Sequence, residues 1–136
     1  MSTEGENMNK LKVLIADDNK VISESIKKII DKKDEIEIVA IANDGEEEYE
    51  FIKEFEPDFL FSDIQMPKMT GIEVLEKLEN EKYKKMPQIV FVTGEYIDII
   101  NDSEIIKYVY DFINKPFSPE KILNAIENYI CENKNN

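Results

Sequence analysis

Three residue types are missing from this chain of 136 residues: histidine, arginine and tryptophan. Without histidine there is no Ser-His-Asp or Cys-His catalytic pair, no imidazole base and no phosphohistidine. All 17 basic residues are lysines, so the chain has neither a bidentate guanidinium clamp for phosphate nor an arginine finger. Any chemistry must therefore use carboxylates, hydroxyls, lysine ammonium groups or a bound metal.

Cysteine and long apolar runs are almost absent as well. One cysteine, Cys131, cannot form an internal disulfide or a cysteine-based metal cage. No apolar segment has the length of a membrane span, and the polar start of the chain lacks the apolar centre of a secretory signal. These absences predict a cytoplasmic protein that does not bind membranes.

The charge is strongly acidic, with a formal net value of −13. A surface of this sign repels phosphate backbones, so direct nucleic-acid binding by this segment is not expected. The apolar fraction of 42% is nevertheless sufficient for one hydrophobic core. The composition predicts a single domain over residues 11–131, a flexible N-terminal tail over 1–10 and a C-terminal tail over 132–136.

Short apolar segments alternate with segments of helical periodicity along the domain. This alternation predicts an α/β fold with a five-stranded parallel sheet and helices on both faces. The spacing also predicts a helix over residues 96–107, and a Thr-x-x-Glu capping box at Thr70 and Glu73. The pattern alone does not fix the order of the strands. The predicted strands cover residues 11–16, 35–39, 58–62, 88–92 and 109–113.

Unusual polar residues stand where these strands end. They are Asp17, Asp18, Asp63, Thr93 and Lys115. Because the carboxyl ends of parallel strands share one edge of the sheet, we expect these side chains to meet there. Three neighbouring carboxylates need a cation, and oxygen ligands near a phosphate site favour Mg²⁺. The pattern thus predicts that Asp63 accepts a phosphoryl group, with Thr93 and Lys115 binding its oxygens.

Each residue also has a plainer interpretation. Asp17 and Asp18 could cap the first helix, and threonines and lysines are common at strand ends and surfaces. Phe112 could be ordinary core packing. The run Glu46-Glu47-Glu48 is expected to be a solvated helix face.

Four motifs together resemble the receiver domain of bacterial response regulators. They are Asp17-Asp18, the run from Asp63 to Gly71, Val92-Thr93-Gly94 and Lys115-Pro116-Phe117. The resemblance covers about residues 11–130 and implies a flavodoxin-like doubly wound sheet with strand order 2-1-3-4-5. It also implies that Asp63 is phosphorylated, that Asp17, Asp18, Asp63 and the main-chain carbonyl of Gln65 hold Mg²⁺, and that the protein is a signalling phosphoacceptor and not an enzyme with an external substrate.

The same resemblance implies partners and a switch. Phosphate would come from a sensor histidine kinase or a histidine phosphotransfer protein, and a downstream output protein or domain would respond. Thr93 would move toward the phosphoryl group and Phe112 would turn inward, which changes the surface of the fourth helix, fifth strand and fifth helix.

Two other functions stay open at this point. The chain could be the excised receiver of a longer DNA-binding transcriptional regulator, although the lack of arginine removes charged pairs that winged-helix regulators use to dimerise. A phosphohydrolase with an aspartyl-phosphate intermediate is a weaker alternative. Such enzymes usually carry a second acid two residues after the nucleophile, and this chain has Gln65 there.

Overall fold

The computed structural model describes residues 10–94 and 103–134. Five strands and five helices alternate over these residues. In chain order they are β1 (Leu11–Ala16), α1 (Lys20–Ile30), β2 (Ile36–Ala42), α2 (Gly45–Phe55), β3 (Phe59–Ser62), α3 (Gly71–Asn80), β4 (Gln88–Thr93), α4 (Ser103–Ile106), β5 (Val109–Asn114) and α5 (Pro119–Lys134).

The five strands form one parallel sheet in the order β2-β1-β3-β4-β5. The predicted fold class and strand order are therefore confirmed. β3, whose residues are all buried, lies at the centre, and β2 lies at one edge with a half-exposed face. A central strand buried on both sides is consistently apolar because both of its faces pack against helices.

Two core layers lie on opposite faces of the sheet. Val13, Ile15 and Phe61 point toward α1 and α5, which contact each other across that face. Leu14, Leu60 and Phe91 point the other way, toward the buried sides of α2 and α3. Alternation of side chains along each strand places neighbouring residues in different layers.

Side-chain caps begin the first three helices. Asn19 accepts hydrogen bonds from the N–H groups of Val21 and Ile22 at the start of α1, and Asp44 accepts one from Glu47 N at the start of α2. At α3 the predicted capping box is present, since Thr70 and Glu73 exchange hydrogen bonds. The cap of α1 is therefore Asn19 and neither of the aspartates before it.

Some predicted segments lie partly outside the described residues. The expected N-terminal tail over 1–10 is described only at Lys10, and the helix expected over 96–107 only from residue 103, where α4 runs to Ile106. At the other end, α5 continues to Lys134, so residues 132–134 of the expected tail are helical. Among the described residues, no helix combines the length and apolar character needed to cross a membrane.

Candidate functional site

The carboxyl ends of β1, β3 and β5 bring three charged side chains into contact. Asp17 follows β1, Asp63 follows β3 and Lys115 follows β5. The Lys115 ammonium lies 2.8 Å from Asp17 Oδ2 and 3.2 Å from Asp63 Oδ2. Residues 98 and 52 positions apart in sequence are thus held together because parallel strands end at one edge.

Asp63 is held by main-chain donors on one side only. Its Oδ1 accepts hydrogen bonds from Ile64 N at 2.7 Å and Gln65 N at 3.3 Å. Its Oδ2 faces Lys115, and the whole residue is 7% exposed. The main-chain bonds fix the carboxylate plane, which leaves Oδ2 as the oxygen that faces the rest of the site.

Asp17 is more deeply buried, at 1% exposure. Its Oδ1 accepts a hydrogen bond from Asn19 N, and its Oδ2 contacts Lys115. Burial raises the pKa of the Asp17 carboxyl above its ordinary value, although the hydrogen bond from Lys115 opposes this effect. Burial alone would lower the pKa of Lys115, but the hydrogen bond and charge of Asp17, together with Asp63, outweigh it and the pKa is raised. The lysine therefore stays an ammonium ion.

Asp18 completes an acidic cluster. One carboxylate oxygen from each of Asp17, Asp18 and Asp63 lies within 4.8 Å of the others, and Asp18 is exposed where the other two are buried. Three hard oxygen donors at this separation, open to water on one side, fit a divalent ion such as Mg²⁺ that keeps part of its hydration shell. The donor set is therefore compatible with the predicted magnesium site.

Thr93 and Gln65 lie beside this cluster. Thr93 is the last residue of β4, is 1% exposed, and accepts a hydrogen bond from Lys115 N on its main-chain carbonyl at 2.9 Å. A Cβ added at Gly94 would meet no atom of the described residues within 4 Å. Gln65 holds Asp63 through its N–H, while its side chain is exposed.

Phe112 lies away from the charged cluster. It is 39% exposed, and its ring stacks on Phe91 with a centroid separation of 5.9 Å. Its register partner across the sheet is also Phe91. The interpretation as buried core packing is wrong for this residue, because much of the ring faces solvent.

The loop after Asp63 is fastened to the start of α2. Gly45 N donates a hydrogen bond to the Pro67 carbonyl, and Lys68 forms ion pairs with Asp44 and Glu46. A Cβ added at Gly45 would lie 1.8 Å from the Met69 carbonyl oxygen. The absence of a side chain at Gly45 therefore lets this loop pass directly over the helix.

Sequence reasoning missed one acid near the site. Glu48 was expected on a solvated helix face with Glu46 and Glu47, but it is 1% exposed. It points from α2 toward Ser62, the residue before Asp63. Position i+3 of Gly45 lies on the same face of a helix as Gly45 itself, and Gly45 is packed against the loop. This spacing from Gly45 was a signal that Glu48 is buried. The run of three glutamates suggested a solvated helix face instead.

Comparison with known proteins gives a family for this architecture. The family model described as "Response regulator receiver domain" matches residues 13–127. Among solved structures, the receiver domain of AraT, a response regulator from Geobacillus stearothermophilus, is 30% identical with a TM-score of 0.74. The alignment covers 93% of this chain and 98% of that one.

Two curated relatives are longer proteins. A protein-glutamate methylesterase/protein-glutamine glutaminase from Methanococcus maripaludis is 34% identical over 80% of this chain. An uncharacterized response regulatory protein from Vibrio cholerae is 29% identical over 91% of this chain. The matched segments span 30% and 50% of the length of these relatives, respectively. The similarity therefore concerns one domain of each relative.

Proposed function

The chain belongs to the family of response regulator receiver domains of two-component signalling, and from this premise we propose that Asp63 is the residue that becomes phosphorylated. The observation that carries the proposal is the Lys115 ammonium, which contacts both Asp17 and Asp63 beside an acidic cluster. A carboxylate, an ammonium ion and further oxygen ligands in one place supply the nucleophile and the charge neutralisation that phosphoryl transfer needs.

The donor is the phosphohistidine of a sensor histidine kinase or of a histidine phosphotransfer protein. This donor requires that the protein act in the cytoplasm. Asp63 Oδ2 forms the new bond to phosphorus while the bond from phosphorus to the imidazole nitrogen breaks. The nitrogen keeps the electron pair, and the carboxylate becomes an acyl phosphate. Main-chain N–H groups at Ile64 and Gln65 hold Oδ1 during this step, so Oδ2 is the attacking oxygen.

Lys115 and Thr93 receive the transferred group. The ammonium that contacts Asp63 Oδ2 exchanges this partner for a phosphoryl oxygen, and the Thr93 hydroxyl donates a hydrogen bond to another. Asp17, Asp18, Asp63 and the Gln65 carbonyl would hold Mg²⁺. When bound, this ion supplies neutralisation of the negative charge on the phosphoryl oxygens.

The response passes through the surface formed by α4, β5 and α5. Thr93 at the end of β4 and Phe112 on β5 are the proposed switch pair, and the Phe112 ring, partly exposed and stacked on Phe91, would be the group that turns inward. The chain spans half or less of the length of the two curated relatives described above. The receiving partner is an output protein or an attached output domain. A DNA-binding output domain is one form of this arrangement.

Intact-mass measurement after incubation with acetyl phosphate and Mg²⁺ tests the assignment of Asp63. Wild-type protein should gain one phosphoryl group, because the acetate leaves with its electron pair as Oδ2 bonds to phosphorus. Asp63→Asn should gain none. Asp34→Asn, which changes an exposed acid in the turn before β2, should label like the wild type.

Two results would contradict this function. Labelling of Asp63→Asn would show that another residue accepts the phosphate. Hydrolysis of many external phosphate esters per protein molecule would favour the phosphohydrolase, in which the acyl phosphate is an intermediate and not a signal.

A further inference from the structure

Glu48 is a buried carboxyl group that the proposed reaction does not use. It lies in the first turn of α2 at 1% exposure, and its Oε1 has no hydrogen-bond partner among the described residues. No lysine in the described ranges forms an ion pair with it. An ionised carboxylate in such surroundings is costly, because neither water nor a cationic side chain of the described residues compensates its burial.

The hydrogen bonds around Ser62 indicate which form Glu48 takes. The Ser62 hydroxyl donates its proton to the Asp63 main-chain carbonyl at 2.8 Å. The Glu48 carboxyl lies beside the same hydroxyl. Burial raises the pKa of Glu48 and outweighs the opposing effect of a hydrogen bond from Ser62, and the charge of Asp63 raises it further. Because the Ser62 proton is directed to the Asp63 carbonyl, a protonated Glu48 can donate to the Ser62 oxygen.

Other charged groups at the starts of α2 and of α3, which packs against it, have partners elsewhere. The remaining first-turn acids of α2 and α3 and the loop residue Lys68 bind one another or helix caps, and the ends of β1 and β2 carry buried alanines. These charged groups are Asp44 and Glu46 (paired with Lys68), Glu47 (bound to Asn43) and Glu73 (bound to Thr70). The charge that acts on Glu48 is that of Asp63, one residue beyond Ser62 on the β3 side.

We propose that Glu48 is a proton-binding residue behind the phosphoacceptor, and that phosphorylation of Asp63 is favoured while Glu48 holds its proton and opposed once it loses it. This inference rests on the proposed role of Asp63. It adds a regulator, the proton, to the same site.

The coupling follows from charge. Phosphorylation changes Asp63 from a carboxylate with one negative charge to an acyl phosphate with about two. An ionised Glu48 behind Ser62 would add a further charge in a poorly hydrated core, and it would need the Ser62 proton that now serves the Asp63 carbonyl. Burial, aided by the charge of Asp63, raises the pKa of Glu48 to about 8. The transition therefore lies close to neutral solution and is accessible to experiment.

Coupling of two binding events is reciprocal. If loss of the proton opposes phosphorylation, phosphorylation must raise the proton affinity of Glu48 by the same factor. A variant that keeps the shape of Glu48 but cannot ionise should phosphorylate without this dependence. Glu48→Gln meets that condition.

The test compares acetyl phosphate labelling of wild type and Glu48→Gln, with Mg²⁺, from about pH 6.5 to about pH 9.5, a range that brackets the Glu48 transition. The ratio of phosphorylated fractions, wild type over variant, cancels the pH dependence of the donor and of the other site groups. It should fall about fivefold or more across the range, the lower end of typical coupling between sites. A ratio that stays constant would overturn the inference.

A second measurement needs neither metal nor donor. The carboxyl-carbon NMR signal of Glu48 in the wild type should titrate well above the ordinary range of glutamate, and in Asp63→Asn it should titrate lower, since the Asp63 charge is removed. An ordinary titration of Glu48 in the wild type would overturn the inference even if Glu48→Gln did not fold. Failure of the proposed function is distinct, because it appears as labelling of Asp63→Asn.

Discussion

At the scale of single residues, two buried acids, Asp63 and Glu48, have opposite surroundings. Asp63 has two N–H donors on one oxygen and an ammonium on the other, so its charge is compensated. Glu48 has an unpartnered oxygen and a shared serine hydroxyl. The same chemical group therefore has its charge compensated at one position and its pKa raised by burial at the other.

Folding stability should report the proton on Glu48. Its pKa is raised from 4.5 to about 8 on folding, so the folded state binds the proton more tightly than the unfolded chain does. This contribution to stability is complete below the unfolded pKa and is lost as pH rises to the folded one, at up to about 1.4 kcal/mol per pH unit. The urea midpoint of the wild type should therefore fall relative to that of Glu48→Gln between about pH 5 and about pH 8.

Measured without metal, the two proteins should have parallel midpoints above this range, where Glu48 is ionised in both states. A difference that does not change with pH would show that Glu48 keeps an ordinary pKa. Asp34→Asn serves as the surface control and should follow the wild type throughout.

Sequence reasoning reached the charged cluster but not Glu48, for a physical reason. Asp17, Asp63 and Lys115 each interrupt an apolar strand, and a charge in that setting is conspicuous. Glu48 sits among acids that look identical in sequence, and only the packing of α2 against β3 separates it from Glu46 and Glu47. Burial of one member of a polar run depends on tertiary contacts.

At the scale of elements, the start of α2 and the loop after β3 form one structural unit. The loop carries Met66 into a small apolar cluster with Ala16 and Ala42, and Met69 passes over Gly45. Because the same loop begins at Asp63, the position of α2 helps to set the position of the proposed phosphoacceptor.

Gly45→Ala should disturb this unit. The new methyl group would lie 1.8 Å from the Met69 carbonyl oxygen, and backbone at that distance must move. We expect a loss of about 1–3 kcal/mol in the free energy of unfolding, typical of overpacking. Urea denaturation measures it. Gly94→Ala is the matched control, since its methyl group would meet no atom of residues 10–94 and 103–134 within 4 Å, and equal losses in both variants would contradict the close-packing argument.

At the scale of the whole molecule, the chain has a net charge of −13. The residue pattern did not determine the order of the strands in its sheet. Alternating strands and helices predicted a parallel sheet covered on both faces, which is confirmed. The order 2-1-3-4-5 came from the family resemblance, because several strand orders satisfy the same periodicity. The exact ends of the helices depend on which residue caps them. At the start of α1 the cap is Asn19 and not one of the acids that precede it.

Like charges at this density should make stability depend on salt. Raising NaCl from about 0.01 M to about 0.1 M shortens the screening length from about 30 Å to about 10 Å and weakens repulsion between surface acids. The thermal midpoint should therefore rise. A double change of two exposed acids on α2, Glu50→Gln with Glu54→Gln, should reduce the salt dependence. A midpoint that falls with salt would show that attractive ion pairs dominate.

The 98-residue separation between Asp17 and Lys115 has a consequence for biosynthesis. A growing chain that has left the ribosome only as far as β4 already carries the acids of the cluster but not the ammonium that contacts them. Any shortened product that ends before β5 lacks it permanently. We therefore expect competence to accept phosphate to arise late in synthesis, when the last strand docks, so that incomplete copies do not compete for the kinase.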